Sequence, residues 1–199
     1  LKNQLVFYKF IKEKTMKILL KMFLIISIAT TSHLAFSDGH KTPKAPTLEF
    51  VGTLTAYLEF APISKDKTLI TVTRGEINTV DGGKGEVIAP CADWLYVNPT
   101  GVFEQMVLCT AKMDDDSLIV AKYEGKLKLN EKGLEKMASG ELINNNDATW
   151  STAPQFQTTS EKYSWMNDYM FIGRVMELQM PNENGKEPYV KYAWFKVIN

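Results

Sequence analysis

Histidine is nearly missing from this chain, with only His33 and His40 in 199 residues. The first falls in an apolar N-terminal stretch and the second in a Pro/Lys-containing leader, so the part with the makings of a folded core holds no imidazole. That excludes Ser-His-Asp and Cys-His nucleophile arrangements, and histidine-ligated zinc with them. Any proton transfer is left to Asp, Glu, Tyr, Lys or Arg-assisted water. Glycine-rich phosphate cradles are lacking too: neither G-x-G-x-x-G nor a Walker-type loop occurs, which removes those routes to nucleotide binding. There is no internal repeat and no low-complexity segment. The two cysteines, Cys91 and Cys109, are too few for a metal cage of their own. No metal site and no cofactor are therefore expected.

An excess of charge is also missing, with 23 Lys and Arg against 23 Asp and Glu. The balance is uneven along the chain. Residues 16–37 read as a secretory signal peptide. Lys17 and Lys21 form a basic start, Met22 to Ala29 an apolar run, and Ala35-Phe36-Ser37 a small-residue cleavage site. The run is broken by Thr30, Thr31, Ser32 and His33, short of the roughly 20 residues that a membrane span needs. An uncleaved N-terminal anchor is the alternative. Residues 1–15 read as an over-extended start before an initiator at Met16. No cysteine follows the cleavage point, which argues against a lipid anchor there. Cleavage after Ser37 removes six lysines and one acid, leaving 17 basic against 22 acidic residues, a net charge of −5. An acidic exported product without basic runs has no electrostatic footprint for nucleic acid. The expected location is periplasmic or secreted, with no stable membrane insertion of the mature domain; an oligomer is left open.

What is present is strand. After a leader over 38–46, the domain over 47–199 is dominated by β-branched and aromatic runs at 48–58, 68–77, 91–98, 102–113, 117–129, 149–158, 169–180 and 189–198. Glycines around Asp81 to Gly85, and Pro99-Thr100-Gly101, supply turns. In one run Ile119, Ala121, Tyr123, Leu127 and Leu129 alternate with Lys122, Glu124, Lys126 and Lys128. That period of two gives one buried and one wet face. A single short helix is predicted over Glu131 to Ala138, capped by Asn130 and stopped by Gly140. About eight strands joined by hairpins, with so little helix, close best as a single antiparallel barrel, which removes exposed edges.

Five phrases stand in order: Gly85-Glu86-Val87-Ile88-Ala89-Pro90, Ala92-Asp93-Trp94, Asp114-Asp115, Thr152-Ala153-Pro154-Gln155-Phe156-Gln157-Thr158, and Tyr163-Ser164-Trp165-Met166-Asn167. The set resembles the family called domain of unknown function 3237 across nearly the whole mature chain. The resemblance implies a calycin-like barrel, similar to the lipocalin and allene-oxide-cyclase architectures, and no general activity. Departures stand at Cys91, where glycine is usual, at Ser117 after the acidic pair, and at Gln157 in place of a glutamate.

With the hairpin centred on Thr100, residues whose numbers sum to 200 face each other, which sets Cys91 opposite Cys109. Opposed cysteines in an oxidising compartment favour a disulfide over two buried thiols. Asp93 shares the face of Cys91 with Leu95 and Val97, opposite Phe103, Gln105 and Val107. An acid on so apolar a face must be hydrogen-bonded or titrate high. It is either a structural carboxylate or an acceptor for a ligand. Tyr123 is inward, as core or as ligand contact. Arg174 interrupts Met170, Ile172, Met176, Leu178 and Met180; it either snorkels outward or points in to hold an anion, Asp93 or Glu86. Trp94, Trp150, Phe156 and Trp165 read as core sooner than as a binding platform, and Asn167 as a backbone cap. The candidate ligand residues are Glu86, Asp93, Trp94, Tyr123 and Arg174, converging at one barrel end on a small apolar or amphipathic molecule. Three functions fit: a binding barrel, a cofactor-free isomerase, cyclase or lyase using carboxylate and tyrosine, and a structural barrel with a filled interior.

Overall fold

The computed structural model of the protein describes residues 43–182 and 184–198. The expected signal peptide, the start at Met16 and the leader as far as residue 42 lie outside those residues. From Thr47 on, the elements run β1 (Thr47–Pro62), β2 (Lys67–Thr79), β3 (Lys84–Val97), β4 (Phe103–Met113), β5 (Leu118–Leu129), helix α1 (Glu131–Ser139), β6 (Ile143–Asn144), β7 (Ala148–Thr152), β8 (Gln155–Thr158), a 3-10 turn (Ser164–Asn167), β9 (Phe171–Gln179) and β10 (Tyr189–Ile198). Each strand from β1 to β4 pairs antiparallel with the one after it. The ladder continues from β5 to β7 and β8, from β7 to β9, from β9 to β10, and from β10 back to β1. The ring is closed. Because β7 and β8 lie end to end along β5 and β6 adds a two-residue pairing beside β9, the barrel has eight strands.

Period-two patterning builds the inside. In β5 the buried positions Tyr123, Gly125, Leu127 and Leu129 alternate with exposed lysines and a glutamate. Strands of 16, 13 and 14 residues are too long to run flat, and they coil at register shifts. These fall between Phe50 and Gly52, Tyr57 and Leu58, Thr71 and Gly75, and Ile88 and Cys91. The last explains one departure from the sequence reading. The sequence reading begins this run at Cys91, whereas the strand begins at Lys84 and passes Pro90, which cannot donate to a ladder, through a bulge. Conversely, the single strand expected over 149–158 is split at Ala153-Pro154, where a fully buried proline breaks the ladder.

The helix is where its caps set it. Asn130 accepts a hydrogen bond from the Gly133 amide at 2.8 Å, and Gly140 takes the left-handed conformation at φ 67°. Buried Asp147 ties the helix to the sheet, accepting from Lys136 at 2.6 Å and from the Asn144 amide at 3.0 Å. Among the described residues no helix is long and apolar enough to cross a membrane.

The segment after β8 folds over one end of the barrel. Tyr163 and Met166 are buried there, and Asn167 exchanges two 3.0 Å hydrogen bonds with the Thr158 backbone, the capping role expected of it. Asp114 clamps this segment, accepting from Tyr163 at 2.7 Å, from Lys162 at 2.9 Å and from the Lys84 amide at 3.2 Å. Asp115 binds Ser160 and Ser117. The acidic pair and the Tyr-Ser-Trp-Met-Asn phrase are thus two halves of one closure. Lys162, then Tyr163 and the Lys84 amide, hold the Asp114 carboxyl down at about 2. A carboxylate depressed by folding stabilises above its unfolded value of 3.8, and that support is lost as pH falls toward 2. The melting-temperature gap between wild type and Asp114→Asn should therefore be open at pH 6 and narrow steadily through this acid window. A gap that does not depend on pH would contradict the clamp.

A candidate ligand cavity

The open part of the interior lies toward the other end. It is a cavity of about 200 Å³ whose walls include Leu54, Leu58, Ile70, Val107, Leu127 and Val190, with Met137 of α1 and Met180 after β9 among its lining residues. Phe60, Leu95 and Phe103 come from strand ends beside the β1–β2 and β3–β4 turns.

A cluster of polar groups around Asp93 interrupts the mostly apolar lining, to which Thr68 of β2 adds a hydroxyl. Asp93 is 6% exposed, and its neighbours across β2 and β4 are Ile70 and Val107. Oδ2 accepts from Gln105 Nε2 at 2.9 Å and Oδ1 from the Met106 amide at 3.0 Å. Trp150 Nε1 donates to Gln105 Oε1 at 2.6 Å. An indole nitrogen only donates, so Trp150 dictates which way the Gln105 amide lies and turns its NH2 toward Asp93. Gly125 makes this possible: a Cβ there would meet Gln105 Oε1 at 2.6 Å and Thr152 Cγ2 at 2.8 Å.

Two phenols complete the group. Tyr123 and Tyr192 meet edge-on with ring centroids 6.2 Å apart, and Trp150 meets Tyr192 at the same distance. Burial pushes the Tyr123 phenol well above its ordinary value, with Tyr192 and then Asp93 adding to the rise. Tyr192 is raised chiefly by burial, against the lowering effect of hydrogen bonding from Gln105 and Tyr123, and the charge of Asp93 adds to the rise. Burial likewise raises Asp93, against the lowering effect of Gln105 and the Met106 amide. Both phenols keep full hydrogen-bonding capacity at neutral pH, and Asp93 binds its proton more tightly than a surface aspartate.

Of the five residues expected at the site, Asp93 and Tyr123 come together on the cavity wall. The other three lie on the outer surface. Glu86 is exposed on β3, paired with Glu76 and Lys112. Trp94 follows an inward Asp93, so it points out; it is 53% exposed opposite Leu69, neither core nor cavity wall. Arg174 takes the outward of its two readings, exposed on β9 opposite Ala193, and does not meet Asp93. Gln105, Trp150 and Tyr192 were not singled out as site residues. Gln105 was legible as a polar residue on the Asp93 face, and Tyr192 as part of the inward stripe Val190, Tyr192, Trp194. Nothing local marks Trp150, whose role depends on β7 reaching β4's side chains across β5.

The disulfide is present. Cys91 and Cys109 are bonded and face each other in the β3–β4 ladder, with Cα atoms 4.0 Å apart. The bridge lines the cavity one inward position below Asp93.

The outside comparisons agree with this architecture. Among solved structures, a conserved protein of unknown function from Rhodopseudomonas palustris superposes with a TM-score of 0.66 at 22% identity, covering 79% of this chain and 100% of that one. A β-barrel-like protein from Acinetobacter baumannii gives a TM-score of 0.59 at 21% identity, over 79% and 99%. In sequence, a UPF0311 protein of Clostridium acetobutylicum is 27% identical over 106 residues, which is 53% of this chain and 66%, just short of two thirds, of that protein. The model of a protein family of unknown function, DUF3237, matches residues 46–197, so the chain belongs to the DUF3237 family.

Proposed function

We propose that this protein is an exported binding barrel, holding one small apolar or amphipathic molecule in its interior. The observation that carries the reading is the cavity of about 200 Å³ with largely hydrocarbon walls and a cluster of polar groups, Asp93, Gln105, Tyr123 and Tyr192. Small-molecule pockets have this make-up, since apolar walls supply affinity and a few placed polar atoms fix orientation. A barrel serving only as structure would fill that space with side chains. Export is supported by the signal-peptide pattern and by the Cys91–Cys109 bridge, a bond that persists in oxidising compartments.

The test is saturable binding of 2-naphthol, a neutral bicyclic probe, followed by quenching of tryptophan fluorescence. Val107→Phe, which puts a ring into the cavity, should weaken binding at least tenfold. Glu86→Ala, Trp94→Ala and Arg174→Ala, all on the outer face, should leave the affinity unchanged. Equal binding by Val107→Phe, or lost binding in an outer-face variant of unaltered circular dichroism, would place the ligand elsewhere.

A further inference from the structure

The charge inventory of the cavity narrows what it takes. Among its described lining residues there is no lysine, arginine or histidine, so an anionic ligand would enter without a counter-charge. An unpaired buried charge is costly enough to exclude it. An uncharged molecule, by contrast, meets hydrocarbon over most of its surface and hydrogen-bonding groups mainly around Asp93. Those groups differ in kind. Asp93 is held from both sides, by Gln105 on Oδ2 and by the Met106 amide on Oδ1. Each carboxylate oxygen accepts about two hydrogen bonds, which leaves one acceptor position free on each. The phenols of Tyr123 and Tyr192 lie close enough to feel the charge of Asp93. Their hydroxyls interact with each other, and Gln105 also bears on that of Tyr192. A fixed proton acceptor beside two phenols, in an apolar pocket, is the equipment for moving a proton next to a carbonyl.

We propose that the cavity enolises an uncharged, largely apolar carbonyl compound, with Asp93 as the base and Tyr123 and Tyr192 donating hydrogen bonds to the carbonyl oxygen. The proposal rests on the cavity being the binding site. The C–H bond beside the carbonyl breaks and its proton passes to an Asp93 oxygen. The electron pair left on carbon forms the C=C bond, and the carbonyl π pair moves to oxygen, which becomes an enolate held by the phenols. Return of the proton to the same carbon restores the substrate. Return at the far end of a conjugated enolate shifts the double bond. The step consumes no oxidant, reductant or second substrate. Burial that lifts Asp93 toward the working pH makes it a stronger base than a surface carboxylate. Facing Asp93 are Ile70 from β2, Val107 and Gln105 from β4, Tyr123 from β5, Trp150 from β7 and Tyr192 from β10. Of these only the phenols titrate, far above neutrality. The rate should therefore rise with pH along a single carboxyl ionisation and then level.

The experiment is hydrogen–deuterium exchange at the α-carbon of 2-tetralone in D2O, read by mass spectrometry with the purified protein. Tryptophan quenching reports binding of 2-tetralone and of the same bicycle bearing an ammonium or a carboxylate group. The ketone should bind and the carboxylate should not. The protein should accelerate exchange, Asp93→Asn should lose about 100-fold or more of that acceleration, and Tyr123→Phe and Tyr192→Phe should each lose about tenfold or more while still binding. The tyrosine variants remove one oxygen apiece and leave the Trp150–Gln105–Asp93 chain in place, so the result does not depend on Asp93→Asn folding well. Binding of the ketone without accelerated exchange, or with exchange unaffected by Asp93→Asn and by both tyrosine variants, overturns the enolisation and leaves the binding reading standing. Tighter binding of the ammonium compound overturns the substrate class. No binding of any of the three, with none of 2-naphthol, removes both readings.

Discussion

Phe171→Ala should lower the free energy of unfolding by about 3–5 kcal/mol, the usual cost of emptying a large aromatic site in a close-packed core. Phe171 is 1% exposed at the start of β9, where the barrel meets the closing segment. Its ring meets Phe156 edge-on at 4.9 Å and Trp165 at 6.0 Å, and Phe156 in turn meets Trp194 at 5.1 Å. Removing it costs both the burial and the edge-to-face contact, and the closed strands around it cannot collapse inward to fill the hole. Phe50 is the control. It sits on β1 before the register shift, 43% exposed, and Phe50→Ala should cost well under half as much. Urea titrations of both variants measure the difference. Equal losses would mean that the core is not centred where the aromatic rings meet.

The second large effect is loss of the bridge. Cys91→Ala with Cys109→Ala should destabilise by about 3 kcal/mol in the chain-entropy account, since the bond closes a segment of 18 residues in the unfolded chain. The same loss should follow reduction of the wild type, and the double variant should then be indifferent to reductant. Peptide mapping without reduction, on protein taken from outside the cytoplasm of its host, should recover the Cys91 and Cys109 peptides joined. Freely alkylated thiols in that material would remove the bridge as a support for export. Because both cysteines line the cavity beside Asp93, reduction is also expected to weaken 2-naphthol binding.

Local patterns carried most of the architecture. Alternation in β5, the Asn130 and Gly140 caps, and the turn at Pro99-Thr100-Gly101 each act within a few residues, so they are legible one segment at a time. The register of the β3–β4 hairpin follows from its turn, which is why Cys91 meets Cys109 and why Asp93, Gln105 and Val107 share one face. The two prolines, Pro90 and Pro154, came out in opposite ways. β3 runs on past Pro90 through a bulge, whereas the run expected over 149–158 is broken at Pro154 into β7 and β8.

The site divides the same way. Period-two alternation already put Tyr123 inside and Asp93 on the apolar face of Cys91, Leu95 and Val97, which the structure turns inward, and it equally required that Trp94, adjacent to Asp93, take the opposite face. Glu86 stands an odd number of residues from Asp93, and the shift between Ile88 and Cys91 adds two residues to β3 and keeps that parity, so the same alternation put Glu86 outside. For Arg174 the sequence allowed either direction, because a long side chain can snorkel from an apolar stripe; pairing with Ala193 and Ser151 put it on the outer surface. What no single segment contains is the assembly of Trp150, Gln105, Asp93, Tyr123 and Tyr192, drawn from β7, β4, β3, β5 and β10. Strand alternation says which side a residue faces. Which residues meet across the interior depends on how far each strand is displaced along its neighbour as the barrel closes, and that displacement is a property of the whole ring.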